Sequence, residues 1–295
     1  MEVKNKIIKT KLIDWKKLKS LQPENFKTTK PEIIEKLKKS LIKNGLSSSF
    51  VVWDEPPPLP KNPKSKLGDI YGLGRHKIIC GDSTDEAVVN RLLNGDKTDM
   101  VFTDPPYGIG YEYNDYNDIK GKEYFDFCDK WFPIIKKHSK FIFLTAGWKN
   151  NIYWLKHEPE DIFYWISRNK QTGGKFSHFR KIEPIFLWGN VPKKFRYSLD
   201  YFDANSDRLD GLRDLHTCPK PVSFIAEAIK PYKTILDIFL GSGTTVISSE
   251  QTDRTCYGIE IDPHYIDVIV QRWVNFTGTE EVIKNGKPIK WPVSK

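Results

Sequence analysis

With 295 residues, 47 Lys and Arg against 38 Asp and Glu, and a formal net charge of +9, the chain can bury one large core, or one core with a small appendage. No run is apolar over the length needed to span a bilayer, and the lysine-rich N-terminus has no apolar segment behind it, so an unexported, cytoplasmic protein is expected. Cys80, Cys128, Cys218 and Cys256 lie far apart without a CxxC pair, which argues against a disulfide framework or a zinc site, and no metal is expected.

Residues 1–45 hold thirteen lysines against five acids, the first of two basic blocks. In the same stretch TTKPEIIEKLKKSLIKNGL predicts a helix: Thr29 and Glu32 form a capping box, Ile33, Ile34, Leu37, Leu41 and Ile42 share a face, and Gly45 ends it. The strand-like SFVVWD completes a small α+β appendage over 1–54. EPPPLPKNPKSK, residues 55–66, then sets five prolines in twelve residues. That is the composition of a stiff, extended connector, and it marks the domain boundary.

From 67 to 280 short apolar runs alternate with helical patterns. HKIICGDS, DMVFTDPP, SKFIFLTA, DIFYWISR, EPIFLWG, KTILDIFLG and CYGIEID each predict a buried strand. Helical patterns at 84–94, 123–137, 221–230, 244–252 and 263–275 fall between several of them. Such alternation predicts an α/β domain, a mostly parallel sheet covered by helices on both faces. Residues 281–295 read as a C-terminal tail.

The run VFTDPPYGIG, residues 101–110, places Asp104 at the carboxyl end of a predicted strand, where parallel sheets bind ligands. Pro105 and Pro106 fix two φ angles and remove two N–H donors, so the elbow offers carbonyl oxygens without competing donors. Tyr107 adds a flat face. Together they can grip a planar ring that carries an amino group, the acceptors taking its hydrogens and the tyrosine stacking on the ring. The tyrosine-rich YEYNDYNDIKGKEYF, residues 111–125, is expected to be a loop that closes over substrate. A second basic block follows at 165–196: Arg168, Lys170, Lys175, Arg180, Lys181, Lys193, Lys194 and Arg196 against Glu183 alone. The rest of the chain is acidic, so two basic blocks on an acidic body point to a polyanionic partner.

In KTILDIFLGSGTTVISS a strand closes with Asp237 and runs through Phe239, Leu240, Gly241, Ser242 and Gly243 into a helix that can begin at Thr244. Glycines permit close approach to a ligand, and the helix start presents free N–H groups. Glu260 ends the next strand, 23 positions after Asp237, the offset of an acid that binds the hydroxyls of an adenosine ribose. Val246 stands where a dinucleotide fingerprint has its third glycine, and no GK[ST] occurs. S-adenosylmethionine, an adenosine without a pyrophosphate, fits better. The exocyclic amine of adenine or cytosine is a poor nucleophile, and strong acceptors at the elbow would stabilise the charge it gains as it attacks a sulfonium methyl. The proton would leave late, with Asp104 as one candidate acceptor.

GRHKIICGDSTD, TDPPYG, HTCPKP, LDIFLGSGTT and YGIEIDPHYIDVIVQRW, as an ordered set over roughly 67–280, resemble the amino-group DNA methyltransferases in which DPPY precedes FxGxG, the permuted beta order. The resemblance implies a Rossmann-like seven-stranded sheet, S-adenosylmethionine as cofactor and double-stranded DNA as partner. It implies that Asp104, Pro105 and Tyr107 hold the target base, and that Phe239, Gly241 and Gly243 wrap the methionine part of the cofactor. Glu260 would bind the ribose, Asp82 would lie by the adenine, and Lys220 would sit near the cofactor carboxylate. For Asp82 a helix N-cap is the competing expectation.

Only residues 190–215 remain for the target-recognition segment that the family carries. Sequence discrimination therefore falls to the basic block, the N-terminal unit, a second copy of the chain or an accessory subunit. The N-terminal unit resembles the start of ParB-like domains. Adenine N6 is the expected target, since Asp rather than Ser opens the motif, with cytosine N4 as the alternative. Enzymes acting on a protein glutamine or an RNA guanine tend to place the cofactor turn first. A non-catalytic DNA-binding protein on a degenerate core is the rival of another class, and the intact Asp104 and Gly241-Ser242-Gly243 argue against it.

Overall fold

The computed structural model describes residues 56–108, 119–168, 172–173, 179–192, 197–205 and 220–293. The chain divides into two units, Met1–Val52 and Trp53–Lys295, and the description concerns the second. The expected N-terminal helix and strand, and the ParB-like resemblance, lie outside the described residues.

The strands are β1 (Ile70–Leu73), β2 (His76–Cys80), β3 (Met100–Thr103), β4 (Phe141–Thr145), β5 (Asp161–Ile166), β6 (Thr172–Gly173), β7 (Phe179–Arg180), β8 (Ile182–Gly189), β9 (Tyr201–Asp203), β10 (Thr234–Asp237), β11 (Thr255–Glu260), β12 (Glu281–Lys284) and β13 (Lys287–Lys290). The helices are α1 (Glu86–Leu93), α2 (Lys122–His138), α3 (Asn151–Leu155), α4 (Val222–Ala228), α5 (Thr244–Gln251) and α6 (Pro263–Thr277). One sheet runs in the order β13-β12-β1-β2-β11-β10-β3-β4-β8-β5-β9, and β6 and β7 form a separate ribbon. Strands β2, β11, β10, β3 and β4 are mutually parallel, so their carboxyl ends share one edge. β8 runs antiparallel between β4 and β5 and enters the sheet at that same edge, with Ile185 opposite Thr145.

All seven predicted strands are present, in β2, β3, β4, β5, β8, β10 and β11. The sheet is nevertheless wider than seven. β1 and β9 add to its two sides, and residues 281–290, expected as tail, form the hairpin β12–β13. Its turn is Asn285-Gly286, both at positive φ, the residue pair a tight two-residue hairpin turn requires. Asn285 also fixes the hairpin to β1: its Oδ1 accepts from the Ile70 N–H at 2.9 Å, and its Nδ2 donates to Asp69 at 2.8 Å.

Strand alternation divides the core between two faces. Val101, Ile142, Leu236 and Ile259 point to the side covered by Val89 and Leu92 of α1, Trp131 and Ile135 of α2, and Trp154 of α3. Met100, Phe102, Phe143 and Ile235 meet Phe224 and Ala228 of α4, while Ile78 and Cys256 meet Val246 of α5 and Ile269 and Trp273 of α6. Asp85 caps α1 by accepting from the Ala87 N–H at 2.8 Å, and Asp262 caps α6 through the His264 N–H at 2.7 Å. The proline-rich segment has no regular secondary structure from residue 56 onward, and its end is anchored: the Lys64 and Ser65 N–H groups and the Ser65 hydroxyl donate to Asp267 on α6. No helix among the described residues is long and apolar enough to cross a membrane.

Candidate functional site

Two half-sites meet at the carboxyl edge, one after β10 and one after β3, which pair in parallel register. The first is the glycine turn. Asp237 ends β10 only 3% exposed, and its oxygens are taken by the turn itself: Oδ2 accepts from the Thr245 hydroxyl at 2.6 Å, Oδ1 from the Phe239 N–H at 3.1 Å and the Thr103 hydroxyl at 3.3 Å. Asp237 therefore braces the loop from beneath, and burial pushes its carboxyl up to about 7. Gly243 starts α5 at φ +82°, where a Cβ would come within 2.8 Å of Ile269, so helix and turn approach α6 as only glycine permits.

Glu260 ends β11, 9% exposed. One carboxylate oxygen accepts from the Gly241 N–H at 2.7 Å and the other from the Asp262 N–H at 3.0 Å, and the Ile261 backbone also bonds to the carboxylate. Burial raises its carboxyl to about 7 against the pull of these backbone donors. Asp82 follows β2, whose last residue, Cys80, pairs with Glu260. Its Oδ1 accepts from the N–H and hydroxyl of Thr84, both at 2.8 Å. The helix cap contemplated for it belongs to Asp85 instead, because α1 begins one turn later. Phe239 packs edge-on to Trp131, centroids 5.4 Å apart. A buried cation that the sequence reading did not single out, Arg272 of α6 at 3% exposure, donates to the Ser242 carbonyl at 2.9 Å and the Thr244 hydroxyl at 3.2 Å. Its signal was there: it is the one charge inside the otherwise buried face of VIVQRWV.

The second half-site is the elbow. Asp104 Oδ1 accepts from the Tyr107 hydroxyl at 2.7 Å and the Thr145 hydroxyl at 2.6 Å. Its Oδ2 accepts from the Lys220 ammonium at 2.8 Å, which also donates to the Tyr107 oxygen at 2.6 Å. Pro105 is buried and Pro106 half-buried behind them. Asn150 holds the elbow by donating to the Tyr107 carbonyl at 2.8 Å. Gly147, φ +61°, lies so close under the Tyr107 ring that a Cβ would stand 3.0 Å from it. Lys220 thus sits on the Asp104 side of the edge, whereas the sequence resemblance sets it by a cofactor carboxylate. Thr145 and Asn150 are additions that no local motif announces.

Of the second basic block, Arg168 pairs with Asp203, Lys181 donates to the Arg168 carbonyl at 2.7 Å, and the Arg180 guanidinium lies 3.4 Å over the Trp148 ring. Lys170, Lys175, Lys193, Lys194 and Arg196 lie outside the described residues, as does most of the expected closing loop; α2 begins at its end, with Lys122.

Five central parallel strands with the reversed β8 beside β4, a glycine turn and a DPPY elbow at neighbouring carboxyl ends define a group-transfer α/β domain of methyltransferase type. The family model for DNA methylases of the N6/N4 type matches residues 98–271, more than half of the chain, and the chain belongs to this family. It is 24% identical over 233 residues to the type II methyltransferase M.HpaI of Haemophilus parainfluenzae, covering 66% of this chain and 73% of that protein. It is likewise 24% identical over 248 residues to M.HinfI of Haemophilus influenzae, covering 66% and 67%. Among solved structures, the PvuII DNA methyltransferase (cytosine-N4-specific) superposes with a TM-score of 0.53 at 18% identity, covering 72% of this chain and 90% of that one. This likeness concerns the fold.

Proposed function

We propose that this protein transfers a methyl group from S-adenosylmethionine to the exocyclic N6 amine of adenine in double-stranded DNA, with the base turned out of the helix at a cost of a few kcal/mol. The observation that carries the reading is the seam between the half-sites. Thr103, the residue before Asp104, donates to Asp237, the brace of the glycine turn, at 3.3 Å, so the amine clasp and the cofactor turn are built as one unit. When bound, the cofactor supplies an electrophilic methyl carbon on a sulfonium sulfur. Glu260 binds the ribose hydroxyls, Asp82 borders the adenine, and Phe239, Gly241, Ser242, Gly243 and Thr244 line the remainder. Asp104, held by Tyr107 and Thr145, accepts the target amine and stabilises its developing positive charge. The basic residues of 1–45 and 165–196 contact phosphates.

Duplex DNA incubated with methyl-tritiated S-adenosylmethionine and digested to nucleosides tests the proposal. Label in N6-methyladenine is expected. Label in N4-methylcytosine would establish the cytosine alternative, and DNA that stays unlabelled would overturn both.

A further inference from the structure

Lys220 is a buried cation between two carboxylates. Its side chain is 3% exposed, its ammonium 2.8 Å from Asp104 Oδ2 and 3.6 Å from Oε2 of Glu183, whose side chain is 7% exposed. Glu183 stands near the start of β8, opposite Trp165 of β5, at the end of β8 that borders the carboxyl edge of β4. The Trp165 and Tyr107 rings each lie 5.2 Å from the ammonium. The sequence shows Glu183 merely as the lone acid in a basic block.

This geometry conflicts with the chemistry assigned to Asp104. Oδ1 is already filled by the two hydroxyls, so an incoming amine must use Oδ2, where the ammonium lies. A target nitrogen becomes positive as it is methylated, and a second cation beside it on the same carboxylate opposes that. The ammonium has to withdraw, yet a buried cation cannot be left without a counter-charge. Glu183 is that counter-charge, less than one further ångström from hydrogen-bond contact.

We propose that Lys220 is a two-position cation. With the base site empty it rests on Asp104 and Tyr107 in the place of the target amine; as the amine enters, it moves onto Glu183, which makes Glu183 a positioning residue for methyl transfer. No bond is made or broken in this step. The inference rests on the proposed function, and methylation of DNA by the wild-type chain establishes that reading separately.

The test compares the full-length wild type, Glu183→Gln, Lys220→Met and the double variant on a DNA that the wild type methylates. Glu183→Gln is expected to lower kcat about tenfold, with S-adenosylmethionine affinity within about twofold of wild type, and to have no further effect in the Lys220→Met background, since coupled residues are non-additive. Wild-type kcat in Glu183→Gln, or losses that multiply in the double variant, would overturn the proposal. Should Glu183→Gln fail to fold, the wild-type complex with a cofactor analogue and DNA decides: the Lys220 ammonium within about 3.2 Å of Glu183 is expected, and an ammonium still on Asp104 beside the bound base contradicts it.

Discussion

At the scale of single residues, Glu260 has the most measurable consequence. Burial lifts its carboxyl to about 7 in the free protein, while a ribose diol donates to the charged form and so favours ionisation. The free protein therefore holds a proton that the complex releases, and cofactor affinity rises with pH until the free-state value is passed. Between pH 6 and 8 the dissociation constant for S-adenosylmethionine should fall about tenfold more in wild type than in Glu260→Gln, by calorimetry at both pH values; equal slopes would contradict the assignment. Comparing the two proteins cancels the titration of the ligand's own amine. Asp237, raised for the same reason, is spent on the turn and should not contribute.

Residue identity alone reveals only part of this. Asp104, Tyr107, Gly241, Gly243 and Glu260 are legible because each sits in a local motif whose spacing expresses its geometry. Thr145 and Glu183 are not, since their partners are distant in the chain: Thr145 meets Asp104 across 41 positions and Lys220 meets it across 116. Only the fold brings such pairs together.

At the scale of elements, the β1–β2 hairpin is tied to the helices by one polar knot. The Cys256 N–H donates to His76 Nδ1 at 3.0 Å, which puts the ring proton on Nε2, facing Glu250 of α5 at 2.8 Å. Trp273 of α6 donates to the same Glu250 oxygen at 3.0 Å. The His76 hydrogen bond, foremost, holds the Glu250 carboxyl down at about 2. A lowered carboxylate stabilises the fold above its unfolded value, near 4.5, and that contribution is lost as pH falls toward 2. Glu250→Gln should cost about 2 kcal/mol at pH 7 and less than half of that at pH 3, read from urea midpoints against wild type. A cost independent of pH would show the knot to be packing alone. The seven strands and five of the helices were readable from periodicity. The hairpin β12–β13 was not: residues 281–290 were expected as tail, because its strands are short, lysine-rich and partly exposed and the apolar signal is weak, with only Asn285-Gly286 marking the turn.

At the scale of the whole molecule, charge and site divide the work. In the proposed function the sheet edge carries the chemistry on an acidic body, and the basic excess lies in 1–45 and 165–196. Binding to duplex DNA should therefore weaken steeply with salt, log Kd rising with log salt at a slope near the number of phosphates neutralised. Replacing Lys193, Lys194 and Arg196 with Gln should lower that slope by about 2 to 3, by titration at several salt concentrations; an unchanged slope would place the DNA elsewhere.

In the proposed function Asp104 serves the target amine while the glycine turn serves the cofactor, in one site. Single-turnover methyl transfer by Asp104→Asn, with S-adenosylmethionine affinity measured alongside, tests this most directly. Loss of transfer by a factor of about a hundred or more with cofactor affinity within about twofold is predicted. Transfer at the wild-type rate, or a loss explained by weakened cofactor binding, would contradict it.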